Sequence, residues 1–174
     1  MPRHPAWLVL FALGACAPKP AYLPSPPLAP PVAIAVDFLL VDKSDRTLTL
    51  YGGGVPLRTY TGLQLGAAPV GHKQFEGDER TPEGRYFIDA RNPNSAYHLS
   101  LRISYPNPAD RAFAARYGLA PGGDIFIHGQ PNGLASASAR MAGDWTDGCI
   151  ALANAEIEQV WRLVRDGTPI EIRP

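Results

Sequence analysis

The sequence predicts a mainly β domain, α+β by element count, in which short strands outnumber two helices. The 174-residue chain contains 19 Pro and 17 Gly, and both residue types interrupt helices. Short apolar or alternating runs recur along the chain, with turn-forming residues between them. Helix start and stop signals flank two segments, residues 110–117 and 154–165.

The first hairpin of this domain is predicted near its start. Residues 33–40 form an apolar run and residues 47–51 alternate apolar with polar side chains. The turn-forming sequence Lys-Ser-Asp-Arg lies between these two runs, so they are predicted to pair as antiparallel strands. After three consecutive Gly, residues 57–63 predict a third strand.

Three further strands are expected later in the chain. Residues 84–90 predict a strand that places Tyr86 and Ile88 on one face. Residues 124–128 predict a short strand that ends at a His-Gly turn. Residues 169–172 are the last strand and close the domain.

The two helices have recognisable ends. Residues 110–117 predict a short helix that Asn107 or Asp110 caps and Gly118 ends. The second is predicted to begin with Asn154 as its cap and to run to residue 165. Its apolar side chains follow one stripe, made of Ile157, Val160, Trp161 and Val164.

The charge balance limits the partners of the chain. Lys plus Arg and Asp plus Glu each number 16, which gives a formal net charge of zero. No long-range field therefore favours nucleic acid or an anionic membrane surface, and a neutral or zwitterionic partner is expected. About 140 to 155 residues remain after an export segment is removed, which suits one domain with one core. We place this domain at residues 33–174.

Residues 1–15 have the features of a secretory signal peptide, since Arg3 and His4 precede an apolar stretch too short to span a bilayer. Residues 13–16, Leu-Gly-Ala-Cys, resemble the lipobox of bacterial lipoproteins. Cys16 is therefore predicted to carry a lipid that holds an exported, periplasmic protein on a bacterial membrane. An ordinary cleaved signal that contains a Cys is the alternative. Ala17 favours the outer membrane by resemblance, because Asp at that position usually signals retention in the inner membrane.

Residues 16–32 predict a tether between the lipid and the domain. Pro recurs throughout residues 18–31, which fixes φ and removes backbone donors. Such a segment cannot join a sheet and favours an extended, polyproline-like conformation.

Cys149 is the leading candidate for covalent chemistry. Once Cys16 is lipidated, Cys149 is the only remaining thiol and has no internal disulfide partner. It follows Gly148 in a turn-rich segment where backbone amides can converge on an oxyanion. A buried, inert thiol is the alternative interpretation.

His128 is the candidate base for that thiol. An imidazole can accept the thiol proton, hold the thiolate as an ion pair and later protonate a leaving amine. A structural histidine with satisfied hydrogen bonds is the alternative.

The sequence around these two residues resembles a known family. Residues 127–129 read Ile-His-Gly and residues 146–150 read Thr-Asp-Gly-Cys-Ile, which is similar to the signature of the YkuD-type L,D-transpeptidase catalytic domain. Upstream, residues 77–86 contain an acidic and Thr-Pro-x-Gly turn that resembles a second landmark of this family. The resemblance covers residues 35–173.

This resemblance implies a YkuD-type β-sandwich or barrel-like domain with a catalytic groove and no cofactor. Cys149 would attack the carbonyl that follows an L-centre in a peptidoglycan stem peptide, with His128 as general base. Gly129 and Thr146 would shape the pocket beside them. Backbone amides near Gly148 and Cys149 would form the oxyanion hole.

The resemblance leaves the outcome of the reaction open. An amine that resolves the thioester gives transpeptidation, and water gives an endopeptidase or carboxypeptidase. Position 151 is Ala, where many family members have Arg that is thought to hold a substrate carboxylate. Ala at position 151, together with residues 70–73 and 100–107, makes the sequence more similar to the YafK-type branch of the family. That branch includes murein endopeptidases that release wall-attached lipoprotein.

Four side chains are candidates to bind a substrate carboxylate in place of the missing Arg: His72, Lys73, Arg102 and Tyr105. Cationic groups among them offer charge-assisted hydrogen bonds, although an exposed charge is usually only solvated surface. Asp147 is a candidate to orient His128, and a backbone carbonyl is an equal alternative.

Two alternatives come from other classes of protein. A zinc peptidase could use His72, His98 and His128, but no ligand spacing such as His-Glu-x-x-His occurs, so no metal is predicted. A non-catalytic lipoprotein that binds peptidoglycan is the other alternative.

Overall fold

A computed structural model describes residues 35–134 and 138–174 of the chain. The predicted signal peptide, the lipidated Cys16 and the Pro-rich tether lie outside these residues. Within the described part, no helix has the length and apolar character needed to cross a membrane.

The described domain is mainly β, as the sequence predicts, with two short helices. The eight strands are β1 (Phe38–Asp42), β2 (Thr47–Gly52), β3 (Val55–Thr61), β4 (Gly84–Ser95), β5 (His98–Ile103), β6 (Phe126–His128), β7 (Ile150–Ala151) and β8 (Pro169–Arg173). The helices are α1 (Pro108–Ala115) and α2 (Asn154–Leu163). The strands form one mixed sheet in the order β3-β2-β1-β8-β4-β5-β6-β7, and the sheet does not close into a barrel.

The first three strands form one end of the sheet. β1 and β2 pair as the expected hairpin, with Leu39 opposite Leu50, and their buried side chains alternate with partly exposed ones. β3 is an edge strand on which Tyr60 alone is buried. The C-terminal β8 pairs with β1 in parallel and with β4 antiparallel, so it joins this hairpin to the rest of the sheet.

The second half of the sheet differs from the sequence prediction. β4 continues to Ser95 instead of ending near residue 90, because it pairs along that length with β5. The sequence prediction missed β5, although its apolar residues Leu99, Leu101 and Ile103 alternate with polar ones. The two-residue β7 was also missed. β6 pairs antiparallel with β5 and parallel with β7.

Helix α1 begins with a complete capping box, and both predicted caps take part in it. Asn107 is the cap and its Oδ1 accepts hydrogen bonds from the backbone N–H groups of Ala109 and Asp110. The Asp110 carboxylate accepts from the backbone N–H of Asn107 at 2.8 Å. The backbone N–H groups of Asn107 and Asp110, which have no partner within the helix, are therefore satisfied by these side chains.

Helix α2 begins one residue away from the predicted cap. Ala153 is in the cap position, and Asn154 is the first helical residue. The Glu156 carboxylate accepts from the backbone N–H of Ala153 at 2.9 Å. Asn154 is used elsewhere, because its Oδ1 accepts from the backbone N–H of Gln130 at 2.8 Å.

The predicted apolar stripe of α2 faces the core. Ile157, Val160 and Val164 are almost fully buried, and Trp161 packs against them while partly exposed. This core supports β5 to β7 from one side and leaves the ends of β6 and β7 available to line a cavity.

Candidate active site

A cavity of about 720 Å³ lies at the end of the sheet where β6 and β7 pair. Cys149 and His128 both line it. His128 is the last residue of β6 and Cys149 directly precedes β7. Because Ile127 pairs with Ile150, the parallel register of these two short strands brings the thiol and the imidazole into one cavity.

The Cys149 side chain is held by backbone groups of the preceding strand. Its Sγ accepts a hydrogen bond from the backbone N–H of Phe126 at 3.4 Å and lies 3.6 Å from the carbonyl oxygen of Asp124. Asp124 has a φ of 52°, an uncommon conformation for a residue other than Gly. The carbonyl that faces the sulfur therefore comes from a strained turn.

The turn before Cys149 is closed by the Thr146 side chain. Thr146 is buried, and its Oγ1 donates to the carbonyl oxygen of Cys149 at 2.8 Å and accepts from the backbone N–H of Gly148 at 3.2 Å. Gly148 has a φ of 126°, and an added Cβ would lie 2.5 Å from the carbonyl oxygen of Arg80. Glycine is therefore required there by both conformation and space.

His128 is 3% exposed, and its orientation is fixed by a backbone carbonyl. Its Nδ1 lies 2.6 Å from the carbonyl oxygen of Gly129. A carbonyl can only accept, so Nδ1 carries the proton and Nε2 has the free lone pair. Burial lowers the pKa of His128, an effect that the Gly129 hydrogen bond opposes. The imidazole therefore favours the neutral form, with Nε2 as the basic nitrogen.

The thiol also favours its neutral form. Burial raises the pKa of Cys149 to about 11, and the hydrogen bond from Phe126 acts in the opposite direction. The carboxylates of Asp147 and Asp124 raise this pKa further, while the Lys73 ammonium lowers it. The two pKa shifts together favour a neutral thiol beside a neutral imidazole in the resting site, and not the ion pair expected from sequence.

The group that orients His128 is the backbone carbonyl of Gly129 and not the side chain of Asp147. Asp147 is exposed and lines the cavity, whereas the carbonyl of Gly129 holds the imidazole. Gly129 itself is outside the cavity lining, and it has no room for a side chain, because a Cβ there would meet Asn154 Oδ1 at 2.6 Å and the Tyr97 carbonyl oxygen at 3.0 Å.

Two aromatic side chains that sequence reasoning missed flank the imidazole. The ring centroids of Tyr97 and His128 are 4.7 Å apart, and those of Trp145 and His128 are 5.6 Å apart. Tyr97 and Trp145 also contact each other, so they form one wall of the cavity. Trp145 could have been found because it directly precedes the motif at residues 146–150, whereas Tyr97 lies in a turn with no sequence signal.

Buried amides attach the loop before Cys149 to the sheet, and sequence reasoning missed these too. Gln130 is fully buried, and its Nε2 donates to Gln64 Oε1 at 3.0 Å and to the Leu152 carbonyl oxygen at 2.8 Å. Gln64 in turn donates to the carbonyl oxygens of Met141 and Gly143, both at 2.6 Å. These bonds satisfy the buried amides and fix the loop.

An ion pair adds to this attachment. The Arg46 guanidinium donates two hydrogen bonds to the Asp144 carboxylate, at 2.6 and 2.7 Å. Asp144 Oδ1 also accepts from the backbone N–H of Leu65 at 2.9 Å. Asp144, five residues before Cys149, is therefore a carboxylate with a structural role.

The candidates for substrate binding are dispersed in the structure. Lys73 lines the cavity, but it is 3% exposed and its Nζ donates to Asp78 at 2.8 Å and to the Phe75 carbonyl oxygen at 3.1 Å. Arg102 pairs with Asp89 at 2.8 Å and is outside the cavity lining.

His72 and Tyr105 are also outside the cavity lining. His72 accepts from the backbone N–H of Glu83 through Nδ1 at 2.9 Å and contacts Asp110 through Nε2 at 3.2 Å. The Tyr105 hydroxyl donates to the carbonyl oxygen of Pro121 at 2.8 Å. The structure thus gives both side chains local partners away from Cys149.

The histidines considered for zinc are not clustered. His98 contacts Glu158 at 2.9 Å and His72 contacts Asp110, while His128 faces the cavity. Within residues 35–134 and 138–174, no three His, Cys, Asp or Glu side chains form a group with metal-binding geometry.

A free thiol and an imidazole of fixed tautomer in one strand-built cavity are the elements of a cysteine acyl-transfer site. The family model of YkuD, the L,D-transpeptidase catalytic domain, matches residues 37–172. The chain therefore belongs to this family.

Comparison with solved structures agrees with this assignment. The chain is similar to the helical cell shape determining protein Pgp2 from Campylobacter jejuni, with a TM-score of 0.62 and 28% identity over 79% of this chain and 47% of Pgp2. It is similar to Bd1075 from Bdellovibrio bacteriovorus, with a TM-score of 0.55 and 27% identity over 80% and 48% of the two chains. The chain thus spans about half the length of these two proteins.

A more distant likeness concerns the fold alone. L,D-transpeptidase 1 from Mycobacterium tuberculosis matches with a TM-score of 0.51 and 18% identity, over 81% of this chain and 62% of that one. No curated protein sequence matches the chain.

Proposed function

We propose that the chain is a cysteine-dependent L,D-transpeptidase that acts on peptidoglycan stem peptides through a thioester on Cys149. The observation that carries the proposal is that Cys149 and His128 line one cavity, with the Nδ1 proton of His128 held by the Gly129 carbonyl. This tautomer leaves Nε2 free to act as the base.

The first half of the reaction forms the thioester. Nε2 of His128 accepts the Sγ proton as the sulfur attacks the carbonyl carbon that follows the L-centre. The Gly148 N–H already donates to Thr146, so the backbone N–H of Cys149 is the donor we assign to the developing oxyanion. Collapse breaks the C–N bond, and the imidazolium returns its proton to the leaving amine.

The second half decides between transfer and hydrolysis. An amine that attacks the thioester forms a new amide and a cross-link, whereas water releases a shortened stem or an opened link. Both restore the thiol with the same two residues. Since Pgp2 is named as a determinant of helical cell shape, we propose that either outcome remodels the wall and thereby affects cell shape.

The cellular location is part of the proposal. The signal-like residues 1–15 and the lipobox at residues 13–16 support export and acylation of Cys16. Residues 16–32 would then tether the domain in the periplasm, on the outer membrane by the Ala17 argument. Replacing Cys16 with Ala is expected to move the protein from the membrane fraction to the soluble fraction.

Mass spectrometry of muropeptides tests the activity. The full chain in detergent is incubated with diaminopimelate-containing sacculi, which are then digested. New cross-links indicate transfer, and lost cross-links, shortened stems or freed lipoprotein indicate hydrolysis. Both changes should vanish in Cys149→Ala and in His128→Ala. A Cys149→Ala variant that processes muropeptides like wild type would refute the proposal, and wall binding with no processing by wild type would favour a non-catalytic lipoprotein.

A further inference from the structure

The sheet carries a polar row beside His128 that the reaction above does not use. Asn92 of β4 pairs with Ser100 of β5, and Ser100 pairs with His128 of β6. Residues directly opposite in neighbouring strands place their side chains on the same face. All three side chains line the cavity, so Asn92, Ser100 and His128 form one continuous row, here named the sheet row.

Two members of the sheet row have unused hydrogen-bonding groups. Ser100 is 4% exposed, and its hydroxyl has no partner among residues 35–134 and 138–174. Asn92 is exposed and its Oδ1 accepts from the backbone N–H of Asn94 at 2.9 Å, which leaves its NH₂ group without a partner in the same ranges. Among the described residues, the fully buried side-chain atoms without a hydrogen-bond partner are Arg140 Nη1 and Trp145 Nε1. The Ser100 hydroxyl is not one of them, so it is open to the cavity and available to a ligand.

The sheet row lies on the leaving-group side of the nucleophile. In this cavity Cys149 contacts the backbone of Asp124 and Phe126, and the His128 ring contacts Tyr97. Because His128 donates its proton to the leaving amine, the residue that departs lies beside His128. Neighbouring strands are about 5 Å apart, so Ser100 is within reach of the carboxyl carbon of that residue.

Among residues 35–134 and 138–174, no free cation lines the cavity to bind a carboxyl oxygen. Among the described lining residues, Lys73 is the one cation, and its ammonium is engaged by Asp78 and Phe75. Neutral donors are therefore the groups available for such an oxygen.

Resting on the function proposed above, we infer that Ser100 and Asn92 form the subsite that binds the carboxyl or carbonyl oxygen of the D-residue on the leaving side of the scissile bond. Both donate a neutral hydrogen bond to that oxygen. The same chemistry fits a terminal carboxylate or the carbonyl of a residue that continues into a further amide. Ser100 and Asn92 are thus specificity residues, and His128 alone on the row transfers a proton.

Binding measurements on a full-length Cys149→Ala background test the inference without turnover. The two probes are a diaminopimelate-containing stem tetrapeptide with a free terminal carboxylate and the same peptide with a terminal carboxamide. Adding Ser100→Ala or Asn92→Ala is expected to weaken binding of at least one probe about fivefold, as the loss of one neutral hydrogen bond does. Loss with the free acid alone identifies a carboxylate, and loss with the carboxamide alone identifies a carbonyl.

A matched control is Ser104→Ala, which removes the hydroxyl of a serine just after β5. That hydroxyl accepts from the backbone N–H of Phe87 and is outside the cavity lining, so no change in affinity is expected. Unchanged affinity of both probes in Ser100→Ala and Asn92→Ala would overturn the inference. Binding that depends on Ser100 in a chain whose wild type shows no turnover would instead refute the proposed enzyme and keep the subsite.

Kinetics separate binding from positioning of the base. With Cys149 intact, Ser100→Ala is expected to raise KM about fivefold with kcat and the alkylation rate of Cys149 unchanged. A lower kcat with unchanged KM would mean that Ser100 positions His128 and would overturn its assignment as a substrate-binding residue.

Discussion

The two halves of the site are held in different ways. His128 belongs to the strand-built half, where backbone pairing with β5 sets its position and the carbonyl of Gly129 sets its tautomer. Cys149 belongs to the loop-built half, where side chains such as Thr146 and Asp144 hold the turn. The backbone contacts of the first half persist through most substitutions, whereas a single substitution can remove a contact of the second.

This difference indicates which half of the site is more sensitive to substitution. A ladder hydrogen bond uses groups that every residue other than Pro has, so the position of His128 does not depend on a particular neighbouring side chain. The Cys149 turn depends on a hydroxyl, on buried amides and on a glycine at positive φ. Mutations in the loop-built half should therefore affect activity and stability together.

The largest expected effect concerns the protonation states that link the two halves. Because burial raises the pKa of Cys149 to about 11 and lowers that of His128, the thiol is neutral at rest. Below its pKa the thiolate fraction rises tenfold per pH unit, so alkylation of Cys149 by iodoacetamide should accelerate about a thousandfold from pH 6 to 9. Mass spectrometry of the Cys149 peptide measures this rate.

A His128→Gln variant is the control for this pH profile, since its rate should have the same slope. A rate that is high and constant between pH 6 and 8 in wild type, and lost in His128→Gln, would instead show an ion pair. That result would mean that the two halves are coupled electrostatically before substrate binds.

The second-largest effect is expected at Gly148, where the loop-built half is in close contact with the backbone of Arg80. Gly148→Ala places a Cβ 2.5 Å from the carbonyl oxygen of Arg80 at a φ of 126°. We expect a loss of roughly 3 kcal/mol in the free energy of unfolding, together with loss of activity. Denaturant unfolding measures the first and the muropeptide assay the second.

Gly143→Ala is the matched control in the same loop. Gly143 has a φ of 63°, but an added Cβ there meets nothing within 4 Å. Only the conformational cost remains, about 1 kcal/mol. Equal destabilisation by the two variants would show that the close approach to Arg80 is unimportant.

The sequence predicted the parts of the fold away from the site more completely than the strands that position His128. The β1–β2 hairpin, the buried Tyr86 and Ile88 and the stripe on α2 follow from local period and turn chemistry, and all are present. β5 was missed although its apolar and polar residues alternate from His98 to Ile103, which is a local signal of a half-buried strand. What the alternation does not report is that Ser100, on its polar face, lines the cavity.

The loop-built half was recognised by motif and not by physical reasoning. Residues 146–150 marked the turn, but nothing local indicates that Gln64 and Gln130 bond each other across a long sequence separation. Asn154 illustrates the same limit, since a typical cap residue instead accepts from the backbone of Gln130. Such contacts depend on tertiary proximity, which a single sequence does not report.

A smaller effect comes from removing the hydroxyl that closes the turn. Thr146→Val keeps the shape of the side chain but leaves the Gly148 N–H and the Cys149 carbonyl without their partner. We expect a loss of about 2 kcal/mol in the free energy of unfolding and a lower kcat/KM. Thr146→Ser should restore kcat/KM because it keeps the hydroxyl. Activity in Thr146→Val equal to wild type would show that the hydroxyl does not position Cys149.

The smallest effect is expected at Arg102, which lies outside both halves. Its ion pair with Asp89 joins side chains that are 45% and 36% exposed, and such surface pairs contribute about 0.5 kcal/mol or less. Arg102→Ala should therefore leave the free energy of unfolding, KM and kcat nearly unchanged. An increase in KM of tenfold or more would mean that substrate extends beyond the cavity along β5 to the exposed guanidinium. The sheet row would then be only part of a longer binding surface, to which Arg102 adds a charged group outside both halves.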